Sequence, residues 1–234
     1  MRYAVLSDVH SNLEAFEAVL ESLGQSNIDT YLFIGDIVGY GANPKECIAA
    51  LRRLDPVSVA GNHDWAPVGL MDTDYFNEAA MSAVFWTKDN ISESDGLFLS
   101  GLELIKEVEN YCLVHGTLDH PQEFDYMTDG YRAMKTFSLL RQNICFVGHS
   151  HRPGVFVEDE EKIYYQEPRV LRLKEGKRYI VNDGSVGQPR DGDPRACFCI
   201  YDENSSTIEF RRVPYNVSLA QKKIIQAGLP RVLA

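Results

Sequence analysis

Five short apolar runs, spread over the first 151 residues, each break off into a loop that carries a carboxylate, an imidazole or both. The first is Tyr3-Ala-Val-Leu-Ser-Asp8-Val-His10-Ser-Asn12. Alternate residues at a strand end project to the same side, so Asp8 and His10 form a chelating pair. Four more runs end alike: Phe33-Ile-Gly35-Asp36, Val59-Ala-Gly61-Asn62-His63-Asp64, Leu113-Val-His115-Gly116 and Phe146-Val-Gly148-His149-Ser150-His151. In open α/β sheets functional groups gather just beyond the carboxyl ends of strands. Five such endings predict one shared site.

Between these runs the chain alternates in character. Leu13, Phe16, Val19, Leu20 and Leu23 fall on one helical face closed by Gly24, and Asn43-Pro44 opens a helix that runs to Leu54, with Asn43 as its cap. Strands are expected at Tyr31–Ile34, Pro56–Ala60, Leu102–Val108, Tyr111–Val114 and Ile144–Val147, and a helix at Tyr131–Leu140. Residues 65–101 break the rhythm with helical spacing at Ala79, Ala80, Ala83, Val84 and Trp86, which predicts a helical insertion beside the site. Beyond His151 short alternating runs follow, then a closing helix over Ser218–Ala227. Strand-helix units followed by strands suggest two facing sheets with helices outside. The expectation is a single α/β domain over 1–234: a four-layer αββα sandwich of two mixed β-sheets flanked by helices.

Composition narrows the function. A net charge of −11 excludes general affinity for nucleic acid, which needs Lys and Arg to neutralise phosphates. Apolar stretches are too short to span a bilayer and no signal peptide is apparent, so a soluble, cytoplasmic protein without membrane partners is expected. Cys47, Cys112, Cys145, Cys197 and Cys199 include no C-x-x-C pair and read as buried hydrophobes. The Gly35-to-Gly41 loop lacks the Lys of a P-loop and the third glycine of a dinucleotide turn. The sequence leaves oligomeric state open, homo-oligomer included.

The ordered set Asp8-x-His10, Gly35-Asp36, Gly61-Asn62-His63-Asp64, His115-Gly116 and Gly148-His149-Ser150-His151 resembles the calcineurin-like metallophosphoesterase superfamily. The opening, the Tyr40-Gly-Ala-Asn-Pro44 stretch and the late Asn182-Asp-Gly-Ser185 stretch are similar to its small bacterial and archaeal branch of phosphodiesterases and diadenosine tetraphosphatase-like proteins. One departure is Asp183, where relatives more often carry Pro; an altered turn with unchanged chemistry is expected.

The resemblance implies two divalent metal ions, with Mn favoured and Fe, Ni, Co or Zn as alternatives. Asp8, His10 and His151 would complete one shell and Asn62, His115 and His149 the other, with Asp36 bridging. Independently of that, two ions ~3.5–4 Å apart clamp a phosphoryl group and share a hydroxide, which needs a short anionic bridging ligand. The family places His63 at the substrate, where it assists the leaving oxygen, and Asp64 either orients His63 or sits on the loop surface. Asn12 contacts phosphate or, as favoured, caps the following helix. Arg190 and Arg195 either fork onto a phosphate or pair with Asp191 and Asp193.

The implied function is hydrolysis of phosphomonoesters or phosphodiesters of a small-molecule or nucleotide substrate. Alternatives are a dinucleoside polyphosphate hydrolase, a protein phosphatase, and a non-catalytic interaction module on the same fold. The complete ligand set and His63 favour an enzyme.

Overall fold

Alternation along the strands decides the layering. In a computed structural model describing residues 1–234, the first strand β1 (Arg2–Leu6) sends Tyr3 and Val5 to one face and Ala4 and Leu6 to the other, and all four are buried. A strand buried on both faces must lie between two other layers. It is followed by α1 (Leu13–Leu23), β2 (Thr30–Phe33), α2 (Pro44–Leu54) and β3 (Val57–Ser58). A helical stretch comes next, with α3 (Asn62–Trp65), α4 (Glu78–Asn90) and α5 (Glu93–Ser100). Then come β4 (Ile105–Glu107), β5 (Cys112–Val114), α6 (Gly130–Leu139), β6 (Ile144–Val147), β7 (Gly154–Asp159) and β8 (Lys162–Gln166). The chain closes with β9 (Leu171–Arg172), β10 (Lys177–Asn182), β11 (Ala196–Asp202), β12 (Thr207–Val213) and α7 (Val217–Gln226).

Two mixed six-stranded sheets result, with strand orders β3-β2-β1-β11-β12-β9 and β4-β5-β6-β10-β7-β8. Tyr3, Val5, Leu32 and Ile34 of the first sheet pack on Leu113, Phe146 and Val181 of the second. Ala4, Leu6 and Phe33 face the other way, onto Phe16 and Val19 of α1 and Ile48 and Leu51 of α2. Val114, Cys145 and Ile180 meet Phe137 of α6 outside the second sheet. Helix, sheet, sheet, helix is the expected sandwich.

Local differences have physical reasons. The strand expected at Pro56–Ala60 pairs only at Val57 and Ser58, after which Val59 forms a single bridge to Glu103. Gly61-Asn62-His63-Asp64 is not an open loop: residues 62–65 make a helical turn. The Asn43 side chain makes no capping bond and accepts from Lys223 Nζ at 3.1 Å. The late strands divide between both sheets, β11 antiparallel to β1 and β10 parallel to β6. All five cysteines are buried and free, and no helix is long and apolar enough to cross a membrane.

Candidate metal centre

β1, β2 and β3 are parallel, as are β5, β6 and β10, so the loops after them leave from strand ends of one sense in each sheet. Asp8, His10, Asp36, His149 and His151 all adopt positive φ, between 49° and 65°. A left-handed residue costs a non-glycine side chain of order 1 kcal/mol, and such strain concentrates at functional sites. Its consequence here is a sharp turn at each strand end.

The turns bring the residues into overlapping groups: Asp8, His10 and His151; Asp36, His115 and His149; and His10, Asp36 and His63, the candidate ligand atoms of each group lying within 4.8 Å of one another. His10, His115 and His151 each place Nδ1 against a backbone carbonyl, of Val38 at 3.1 Å, Ile34 at 2.6 Å and Gln188 at 2.6 Å. An Nδ1–H donor leaves Nε2 aimed inward. Nε2 of His10 and Nε2 of His151 then stand 3.0 Å apart. Two lone pairs at that distance repel unless a proton or cation lies between them.

The carboxylates repeat the pattern. Asp8 Oδ2 accepts the His149 N–H at 3.0 Å, and Asp36 Oδ1 accepts the His63 N–H at 2.8 Å. Their other oxygens, with Asn62 Oδ1 and His115 Nε2, are buried without a hydrogen-bond partner. Asp36 Oδ2 lies 3.6 Å from His10 Nε2 and 3.2 Å from His115 Nε2, between the two groups of ligands. Buried polar atoms without partners are costly, and a convergent set of them without sulfur fits a divalent cation. Asp8 and Asp36 are held well below the usual carboxylate range: burial opposes ionisation, and the surrounding histidines override it. Burial lowers His10, and takes His149 down to about 3. At His115 burial would do the same, but Asp36 and Asp8 raise it to about 10.

His63 is buried on the edge of this cluster. Its Nε2 meets the Tyr40 hydroxyl at 3.1 Å, and its ring packs against Tyr40 at 4.4 Å and edge-on to Phe76 at 4.9 Å. Burial holds it well below its ordinary pKa. Asp64 neither orients His63 nor sits on the surface. It is fully buried, and its two oxygens accept backbone N–H bonds from Asp36, Ile37, Val38 and Gly61 at 2.7 to 3.3 Å. Burial and the charge of Asp36 push its carboxyl up to about 7, while the four donors favour the anion. Asp64 therefore fastens the Asp36 loop to the Asn62 turn.

The other candidates lie around this centre. Asn12 caps α1 through Ala15 N at 3.1 Å and donates to Gly187 O at 2.8 Å, so both its polar atoms are engaged. Arg190 stands over the Tyr40 ring, with Nη2 3.5 Å from its hydroxyl. Arg195 forks onto Asp193 and is half-exposed. Asp183 is buried, accepts from Ser7 Oγ at 2.8 Å, and is raised well above the carboxylate range by burial and by Asp8. His120 is a solvated loop residue. Sequence reasoning gives no role to Phe76 or Phe124, and weighs Trp65, Tyr40 and Tyr126 as rings that stack on a base against the more common reading that they pack. Tyr126 stacks on His149 at 4.0 Å and 14°. The helical stretch supplies Phe76, Asn77 and Ala80 to a cleft of about 210 Å³ beside His63.

The chain is 42% identical, over 98% of its length and 94% of the relative's, to an uncharacterized protein of Methanocaldococcus jannaschii. It superposes with a TM-score of 0.89 on a metallophosphoesterase from Sphaerobacter thermophilus, 39% identical, covering 100% of this chain and 96% of that one. Phosphodiesterase YfcE of Escherichia coli is 22% identical over 83% of this chain and 84% of its own. Residues 1–206 match the profile of the calcineurin-like phosphoesterase superfamily domain, and with buried, unpartnered oxygen and nitrogen atoms converging in this way, the chain belongs to that family of metal-dependent phosphoesterases.

Proposed function

We propose that the protein hydrolyses phosphodiester or phosphomonoester bonds at a dinuclear centre in which Asp36 is shared. One observation carries this reading: Asp36 Oδ2 is buried, unpartnered, and within 3.6 Å of a ring nitrogen from each group of ligands. Asp8, His10 and His151 would hold one ion and Asn62, His115 and His149 the other, with Mn favoured for the imidazole and carboxylate donor set. When bound, the ions supply a water that ionises near neutral pH and positive charge for the phosphoryl oxygens.

The chain's own groups do the rest. His63 faces the substrate and stabilises or protonates the leaving oxygen, held in place by Tyr40. Arg190, already 3.5 Å from the Tyr40 hydroxyl, is the closest candidate for a remaining phosphate oxygen. Arg190 also forks onto Gln188 Oε1 at 2.7 and 3.2 Å, so it, like Asn12 and Arg195, would have to release present partners to reach a phosphate. The acidic chain favours a small phosphate ester or nucleotide over nucleic acid, and its free buried cysteines suit the reducing cytoplasm.

The test strips the protein of metal, restores Mn, Fe, Co, Ni, Zn or Mg separately, and assays 4-nitrophenyl phosphate, bis(4-nitrophenyl) phosphate, a cyclic nucleotide and diadenosine tetraphosphate. Turnover restored by Mn on at least one ester is the expected result. Silence from every reconstituted form on every ester would remove the proposal.

A further inference from the structure

We propose that the substrate's leaving arm is an uncharged aromatic group of about nucleobase size, and that the cleft beside His63 rejects polyphosphate arms. This rests on the hydrolase reading of the centre and names the substrate class that the centre selects.

Asn62, His63 and His149 all line the cleft, so an arm in it would lie on the His63 side of a phosphoryl group held at the centre. Its walls are aromatic. Phe76 stands edge-on to His63, Tyr126 lies flat on His149, and Phe124 joins them. Outward the cleft continues into a wider space of about 580 Å³ through the shared residues Met71, Tyr75, Glu123 and Asp125. Tyr75 is 89% exposed and Leu70 51% exposed there. Large apolar side chains left in solvent beside a polar centre mark a ligand surface, and flat rings at both depths fit a planar aromatic guest.

Charge decides against the competing guest. No Lys or Arg lines either part of this cleft; its fixed charges are Asp72, Glu123 and Asp125. Asp125 is paired with Arg132 at 2.5 Å, whereas Asp72 and Glu123 form no ion pair. A chain of phosphates would run past unneutralised carboxylates on a protein of charge −11. The cleft on the other side of Tyr40, about 360 Å³, has Arg190 as its one charged side chain. The retained, anionic part of the substrate therefore belongs on the Arg190 side and the aromatic arm on the His63 side.

Two measurements on the full chain test this. Calorimetric titration of the metal-free protein with adenosine should show binding that weakens at least fivefold in Tyr75→Ala, with no heat from inorganic tripolyphosphate at the same concentrations. Tighter binding of tripolyphosphate than adenosine, or indifference to Tyr75→Ala, would overturn the proposal. In the Mn-loaded protein, Glu123→Lys should raise kcat/KM for diadenosine tetraphosphate relative to bis(4-nitrophenyl) phosphate at least tenfold. An unmoved ratio in a protein that cleaves both esters counts against the cleft. Adenosine binding that responds to Tyr75→Ala, in a protein that cleaves no ester with any ion, leaves the cleft standing and refutes the hydrolase reading alone.

Discussion

Gly61→Ala removes no ligand and no hydrogen-bonding side chain, yet it should dismantle the centre. A Cβ at position 61 would lie 2.0 Å from Asp36 Oδ1, 2.5 Å from Asp36 N and 2.6 Å from Asp36 Cγ. Neither side can retreat. The Gly61 N–H is tied to Asp64 Oδ2 at 3.0 Å, the Asp36 N–H to the same oxygen at 2.7 Å, and Gly35 lies against Gly61 from behind. The Asp36 carboxylate must swing away, breaking its bond from the His63 N–H. Overpacking costs about 1–3 kcal/mol, and a lost hydrogen bond to a charged group about 1.5–3 kcal/mol. Together they give roughly 3–6 kcal/mol, which at about 3 kcal/mol per molar urea lowers the unfolding midpoint by roughly 1–2 M. Elemental analysis of refolded variant should find less than about one metal equivalent despite seven intact candidate ligands. A Gly61→Ala protein with the parent's urea midpoint and metal content would refute the idea that backbone proximity at Gly61 sets the position of Asp36.

Other outcomes follow from the same geometry. His63→Ala should keep its metal content and lose turnover by roughly 100-fold or more, the usual scale for losing acid or oxyanion assistance; unchanged turnover would take His63 out of the mechanism. Asp36→Asn should lower occupancy of both sites, and two retained equivalents by elemental analysis would contradict its bridging place. Tyr40→Phe deletes the hydroxyl's hydrogen bond with His63 and the longer one it accepts from Arg190 Nη2, so kcat should fall about 2–10-fold with a smaller change in KM; a KM effect alone would place Tyr40 in binding instead. The metal-free protein should be most stable near pH 6.5. Burial lowers His149 to about 3, so the unfolded chain binds protons first and stability falls as pH drops from about 6.5 toward 3. His115, raised to about 10 by Asp36 against the effect of burial, contributes stability that is complete below about 6.5 and lost as pH rises toward 10. Urea midpoints that climb steadily to pH 10 would show that His115 is not so held.

What the sequence disclosed were the parts with a period or a punctuation mark. Alternation in Tyr3 to Leu6, the helical face of Leu13 to Leu23 and the apolar runs before Asp36, His115 and His149 encode the two sheets, because each pattern reports which face is buried. The coming together of Asp8, His10, Asp36, His115, His149 and His151 was legible because each ends a strand. Side-chain partners were not legible, since they depend on residues distant in the chain. Asn43 had the place of a helix cap but serves Lys223, 180 residues away. Tyr40 carries no marker of its own, and only the fold sets its hydroxyl on His63.

Asp64 shows why proximity in sequence misleads at such a site. Next to His63 it invites the reading of an orienting partner, but the helical turn over residues 62–65 sends successive side chains in different directions, about 100° apart. His63 turns toward Tyr40, while Asp64 turns under the loop and gathers four backbone N–H groups. Those donors belong to Asp36, Ile37, Val38 and Gly61, so one carboxylate fixes both the residue between the two ligand groups and the glycine packed against it. A residue outside the groups of candidate ligands thus sets where Asp36 can be, and the centre depends on it through the backbone.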